Sequence, residues 1–520
     1  MTEPAAKSDP AAPWTRSATE LVADLAAGRL SAADAVEAHI ERIEKVNPAI
    51  NAVIWKRYDA ARAEAAEADR RRRAGEPVRP LHGLPITVKE CLDLEGSPST
   101  FGVTARRDHV ATANERHVAA LRDAGAIVIA KTNVSQLLLF FETDNPLHGV
   151  TRNPWNPERT PGGSSGGEGA IVAAGGSPLG LGTDIGGSVR NPAAFCGIAS
   201  LKPTAGRMPD LGRMSVPIGQ QAITSQIGVL ARRVADVALG IRIASGGDRP
   251  PEPVPPLGDP AAVDVARLRV GWFTDDGVFP ATPAARRAVN EAVEALAQRG
   301  AHVTAWQPPE PERAEALFFN LLSADRFEGG RRILGASPRD PRIKLLEDSL
   351  TKPRAMVNLA LAATRRQRTR QIVRHLGPYD TASYWRRVEE LIDYRDRALA
   401  ALRDLDVVIS PPASLPALRH GASAEVSDMG IYTALYNVLG WPAGVVPWTR
   451  VRAGEDSERP ASKDPCVIAA RDTERGATGL PIGVQIAARP WRDHIALAVM
   501  AALEQAAMSR TDYPTTPMQS

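Results

Sequence analysis

Apolar and polar positions along this chain follow two periods, and the switches between them lay out its elements. Ser31 and Asp34 form a capping-box pattern with Asp in place of Glu, after which Val36, Ile40, Ile43 and Val46 recur at helical spacing until Asn47-Pro48 stops the run. Residues 84–88 read as a short buried strand, 114–124 as a helix and 127–130 as a second strand. A Gly/Pro-rich stretch at 246–260 is a connection, and the alternation resumes with strand 268–273, helix 283–299 and strand 302–306. Residues 347–402 are helical with little strand signal; strands at 406–410 and 482–487 and a closing helix at 493–507 follow, and there is no internal repeat. This order predicts an α/β fold: one large domain with a mixed sheet between helical layers, and 347–402 as a helical cover.

Composition narrows the class. Of 520 residues, 43% are hydrophobic and 24% charged, and 63 basic residues nearly balance 60 acidic ones, so nothing in the net charge asks for nucleic acid. The run Arg70 to Arg73 ends a helical pattern just before Gly75, where cations complement the helix terminus. Three cysteines, Cys91, Cys196 and Cys466, are too few and too odd for a disulfide framework and point to a reducing, cytoplasmic setting. Met1 to Pro13 lacks a signal-peptide apolar core, and no run is long enough to span a bilayer.

Two dense clusters stand out: Pro161-Gly-Gly-Ser-Ser-Gly-Gly-Glu-Gly169 and Gly182-Thr-Asp-Ile-Gly-Gly-Ser188. Glycine loses the most backbone entropy on ordering, so such clusters need a geometric reason, and exposing N–H groups and hydroxyls to a ligand supplies one. A phosphate loop of Walker type fails because no Lys follows Gly167 or Gly169, and a dinucleotide fingerprint fails for want of its third glycine. The nine histidines show no zinc motif. Serine chemistry without an obvious histidine remains. A serine hydroxyl needs a base, and Lys89, at the end of the apolar run from Leu84, emerges where α/β sheets place ligands. Cys91, Cys196 and His82 read as structural.

Leu84-Pro-Ile-Thr-Val-Lys89-Glu-Cys91 and the two Gly/Ser clusters resemble the amidase signature family. The resemblance continues through Asn191-Pro-Ala-Ala-Phe-Cys-Gly197 and Leu201-Lys-Pro203 and spans about 17–507. Within the family it is most similar to fatty acid amide hydrolases, on Thr132-Asn-Val134, Asp144-Asn-Pro146, Tyr432-Thr-Ala-Leu-Tyr-Asn437 and Pro442-Ala-Gly-Val-Val-Pro447. It implies a family domain at 17–510 with a catalytic core at 80–245, preceded by a flexible tail at 1–16. It further implies a Ser-Ser-Lys triad: Ser188 as nucleophile, Ser164, with a cis peptide, as bridge, and Lys89 as base. Backbone N–H groups of Ile185, Gly186, Gly187 and Ser188 would form the oxyanion hole, and the Leu138 carbonyl would meet the leaving amine. Ser165, Thr183, Asp184 and Arg190 would support these from behind.

The implied activity is hydrolysis of a linear amide, ester or carbamate with a lipophilic or aryl acyl group, needing no metal or organic cofactor. The glutaminase subunit of a tRNA-dependent amidotransferase and a non-catalytic binding module are the alternatives. The expected partner is a small-molecule amide, with a homodimer and a weak peripheral membrane contact left open. The last follows from the stretch 351–379, where seven cations interleave with Met356, Leu359 and other apolar residues and no acidic residue occurs. The competing reading of that stretch is a solvated face.

Overall fold

The computed structural model describes residues 12–210, 216, 219–246, 254–377, 380–455 and 458–515. Residues 1–11 of the expected tail, 247–253 of the Gly/Pro-rich connection and 378–379 of the basic stretch lie outside the described residues. In chain order the strands are β1 (Val53–Lys56), β2 (Pro85–Lys89), β3 (Ile127–Thr132), a small hairpin of β4 (Asp144–Asn145) and β5 (Gly149–Val150), β6 (Leu179–Asp184), β7 (Ala199–Lys202) and β8 (Gln226–Ala231). Then come β9 (Arg269–Trp272), β10 (His302–Ala305), β11 (Val407–Ser410), β12 (Ala443–Arg450) and β13 (Pro481–Ala488). All but the hairpin join one 11-stranded sheet in the order β1-β3-β2-β6-β8-β7-β12-β13-β11-β9-β10. Pairs β2/β3, β2/β6, β9/β11 and β9/β10 are parallel and the others antiparallel, so the sheet is mixed.

Helices cover both faces. Val407 and Ile409 of β11 belong to one apolar cluster while Val408 belongs to the other, as the two-residue strand period requires. Strand β2 is buried along its whole length because β3 and β6 flank it and helices close both faces. Its parallel pairing with β6 brings the carboxyl ends of the two strands, Lys89 and Asp184, to the same edge of the sheet.

Three expectations need correction. The helix Ala32–Ile50 runs through Pro48 to a left-handed Asn51, φ 50°, whose N–H donates to the Asn47 carbonyl at 2.7 Å. A proline in the last turn forfeits little of the ladder, and Asn47 Oδ1 instead accepts from the Ala52 and Val53 N–H groups at 2.8 and 2.7 Å. At the start of that helix Asp34 accepts from the Ser31 hydroxyl at 2.6 Å; the complete box with a Glu forms one helix earlier, between Ser17 and Glu20. Finally, residues 12–16 are docked, not loose: the Arg42 guanidinium lies 4.1 Å from the Trp14 ring centroid, and Arg232 Nη2 donates to the Trp14 carbonyl at 3.0 Å.

The cover comprises helices Pro341–Thr351, Arg354–Ala363, Gln367–His375 and Thr381–Ala401, and Pro311–Leu322 and Glu328–Leu334 extend it toward the sheet. In the last turn of the helix Tyr58–Arg73, Arg70 and Arg71 pair with Glu67 at 2.6 and 2.8 Å and Arg73 Nε donates to the Asp69 carbonyl at 3.2 Å.

Candidate active site

The first Gly/Ser cluster enters the helix Gly166–Ala173, every residue of which is buried. Its glycines serve closeness as much as exposure, since a Cβ on Gly167 would lie 2.5 Å from the Asn133 nitrogen. Ser164 stands just before this helix, joined to Gly163 by a cis peptide. The second cluster follows the end of β6 and turns into the helix Arg190–Cys196. Strand β2 delivers Lys89 between them.

Lys89 Nζ donates to Ser164 Oγ at 2.7 Å and to Thr183 Oγ1 at 2.8 Å. Its side chain is fully buried, and burial lowers its pKa from 10.5 to about 8, with Cys91, Asp184, Glu168 and Glu90 pulling the other way. That lowering corresponds to about 3 kcal/mol against the charged form, enough to leave a sizeable neutral fraction near neutrality. Ser165 N–H donates to the Ser188 carbonyl at 3.2 Å and binds the two clusters through the backbone. Among the described residues no side-chain hydrogen bond joins Ser164 to Ser188.

Asp184 organises the turn carrying Ser188. Its carboxylate accepts from the Gly187 and Val189 N–H groups at 2.8 and 3.1 Å and from Arg190 Nε and Nη2 at 3.0 and 2.8 Å. Burial alone would raise this carboxyl, but the charge and hydrogen bonds of Arg190 outweigh it and hold the group well below the usual carboxylate range. Arg190 in turn donates to the Thr433 carbonyl, Gln485 Oε1 and Asn437 Oδ1 at 2.8, 2.9 and 2.6 Å. Ser165 Oγ donates to the Thr183 carbonyl at 3.3 Å. The four residues expected to give support from behind therefore all lie in the network around Lys89 and Ser188.

Ser188 opens onto a cavity of about 230 Å³, together with Ile185, Gly186 and Leu138. Gly187 lies off the cavity, its N–H engaged by Asp184, so this arrangement departs from the expectation that all four successive N–H groups face the substrate. The walls are largely apolar, with Phe140, Phe318, Phe319, Leu346 and Val373 among them, so the turn carrying Ser188 and the cover share one chamber. Leu138 and Phe140 sit at φ 61° and 68°, a conformation bulky side chains rarely take, which tips them toward the cavity loop; no propensity in the sequence signals it.

The sequence reading missed Glu168. This carboxyl is fully buried one helical turn past Ser164 and accepts from Thr87 Oγ1 and Thr132 Oγ1 at 2.7 and 2.8 Å. Burial pushes it up to about 8. A single Glu in a run of Gly and Ala was the available signal. Thr433, Asn437 and Gln485 were missed as well, for they lie some 250–300 residues from Ser188 in the chain and carry no spacing relation to it. Cys91, Cys196 and Cys466 are buried, and burial pushes the Cys91 thiol up to about 12. His82 is buried and shifted downward by desolvation, apart from this network.

Comparison with known proteins identifies the family. The Amidase family model matches residues 34–497. Fatty-acid amide hydrolase 1 of Sus scrofa is 34% identical over 502 residues, covering 94% of this chain and 85% of that one. One subunit of the glutamyl-tRNA(Gln) amidotransferase of a Roseiflexus species, strain RS-1, is 30% identical over 516 residues, covering 95% and 96%. Among solved structures a fatty acid amide hydrolase superposes with a TM-score of 0.79 at 26% identity, covering 95% of this chain and 85% of the other. A buried Lys–Ser contact at a sheet edge, two Gly/Ser turns and a family match across most of its length place the chain in the Amidase family, as an amidase.

Proposed function

We propose that the protein cleaves a linear carboxamide carrying a lipophilic or aryl acyl group through an acyl-enzyme on Ser188. The observation that carries this reading is the buried Lys89, its basicity lowered, hydrogen-bonded to Ser164, whose neighbour Ser165 is bonded through the backbone to Ser188, and Ser188 lines an apolar cavity. Neutral Lys89 takes the Ser164 proton as Ser164 takes that of Ser188, and Ser188 Oγ bonds to the acyl carbon. As the tetrahedral intermediate collapses, the C–N bond breaks and the relayed proton returns to the leaving nitrogen. Water, deprotonated along the same path, then releases the carboxylate and frees Ser188. A fluorophosphonate probe tests this: it should label wild type at Ser188, and labelling of Ser188→Ala at another serine would overturn the assignment.

The amidotransferase reading draws on the similarity to the glutamyl-tRNA(Gln) amidotransferase chain of Roseiflexus. The cavity weighs against it, because glutamine's charged α-amino and α-carboxylate groups need polar recognition, whereas most of these walls are apolar and Arg342, the cation among them, is already paired with Glu142 and Asp340.

A peripheral membrane contact through the cover belongs to the same reading. Met356 and Leu359, 59% and 72% exposed, share one face of the helix Arg354–Ala363, and Arg365 and Arg370 lie exposed beyond it. Other cations of the stretch are already engaged: Arg366 by Glu425, Lys352 by Asp348 at 2.9 Å, and Arg354 by the Val373 and Leu376 carbonyls. Co-sedimentation with anionic vesicles should therefore be salt-sensitive and weakened in Leu359→Asp; identical sedimentation of the variant would remove the membrane contact.

A further inference from the structure

The peptide unit between Gly186 and Gly187 is gripped at both ends. Its carbonyl oxygen accepts from Thr433 Oγ1 at 2.9 Å, and its N–H donates to Asp184 Oδ1 at 2.8 Å. The acceptor cannot turn, because Asn437 Nδ2 donates to the same oxygen at 3.0 Å and Arg190 binds both carboxylate oxygens. Thr433 and Asn437 are four residues apart on one face of the buried helix Ile431–Val438. The Thr433 hydroxyl proton is shared with the Gly430 carbonyl, also at 2.9 Å, and Asn191 Nδ2 donates to Thr433 Oγ1 at 3.4 Å. Gly187 has φ 119°, and a Cβ there would run into Thr433 Oγ1, so hydroxyl and glycine are fitted to each other.

A peptide unit is planar, so holding its C=O and N–H together restricts ψ of Gly186 and φ of Gly187, one of the two torsions that orient each of the N–H groups on either side. Those belong to Gly186 and Ser188, and both residues line the cavity whereas Gly187 does not. We infer that Thr433, backed by Asn437, is a positioning residue that aims the Gly186 and Ser188 N–H groups at the substrate oxyanion, while the Gly187 N–H serves Asp184 instead. The inference rests on the Ser188 reading and narrows its oxyanion hole. It gives a role to the Tyr432-to-Asn437 motif, which lies far along the chain from the Gly/Ser clusters.

Thr433→Val removes the hydroxyl at nearly constant shape, and Thr433→Ser keeps it. The Val variant should lose about 10²-fold in kcat on a lipophilic amide, the scale of one oxyanion donor, with KM within about twofold. Affinity for a trifluoromethyl ketone, which serine converts to a tetrahedral oxyanion, should fall in parallel, and Thr433→Ser should restore both. The pH midpoint of acylation should not move, since Lys89 is untouched. Wild-type ketone affinity in Thr433→Val, or failure of Thr433→Ser to restore it, would overturn the inference. Thr433→Ala repeats the test if the Val variant does not fold. Turnover by Ser188→Ala would instead overturn the nucleophile assignment, so the two failures are distinguishable.

Discussion

Lys89 is placed to set the pH dependence of the proposed relay. Its neutral form is the base, so acylation should rise with pH through a midpoint near 8 and lose that limb in Lys89→Ala. Single-turnover rates across pH 6 to 10 check this, and an unchanged profile in the variant would exclude Lys89. Ser164→Ala should slow acylation by about 10²-fold, less than Ser188→Ala, if water can replace the bridge. Stability carries two opposite signatures. Lys89 is depressed below its unfolded value of 10.5, so the native state binds fewer protons between about 8 and 10.5 and stability rises through that window. Glu168 is raised from 4.5 to about 8, so its contribution is full below about 4.5 and is lost as pH rises to about 8. Thermal unfolding of Glu168→Gln should show a smaller decline between pH 5 and 8 than wild type.

Among the elements, the cover is anchored to the segment around the β4–β5 hairpin by Arg342 at the start of the helix Pro341–Thr351. Its guanidinium reaches Glu142 at 3.2 Å, Asp340 at 2.6 Å and Asp144, and it also borders the cavity. Glu142 is buried and otherwise held by the Gly421 and Ser423 N–H groups at 2.7 and 2.8 Å. Removing one partner of a buried ion network leaves uncompensated charge, a loss of about 3–5 kcal/mol. Arg342→Met should accordingly lower stability on that scale in a urea titration and raise KM, because the cover wall shifts while Lys89 and Ser188 stay in place. A variant as stable as wild type would show that the cover is held by its apolar contacts alone.

At the scale of the whole molecule, the family match and the single apolar chamber make a self-sufficient enzyme the expected behaviour. Purified without partners, the chain should release amine from amides of lipophilic acids and no ammonia from glutamine, with the highest kcat/KM where the acyl group fills the cavity. Ammonia release from glutamine only on addition of a partner protein would favour the amidotransferase reading. An amide panel varying acyl length and amine, measured beside gel filtration, decides between them.

Local chemistry determined what the sequence alone could show. Apolar periodicity located β2, β3, β11 and β13 and the closing helix to within a residue or two, because burial on a pleated or helical face is written into nearest neighbours. The order of Lys89, Ser164 and Ser188 was legible because the two serines stand in Gly-rich clusters, where close backbone approach demands glycine, and Lys89 ends a short apolar strand. The end of the helix at Asn51 was not, since a proline in a last turn is tolerated or not according to what caps it. Nor were the burial of Glu168, the docking of Trp14, the engagement of the Gly187 N–H or the grip of Thr433 on the turn before Ser188. Each depends on groups far apart in sequence meeting in a desolvated interior, where the worth of a hydrogen bond or a charge is set by its surroundings and not by its neighbours along the chain. The cavity is the extreme case: its walls come from loops near 138 and 185 and from cover helices more than 130 residues later, and only the packed fold brings them around one serine.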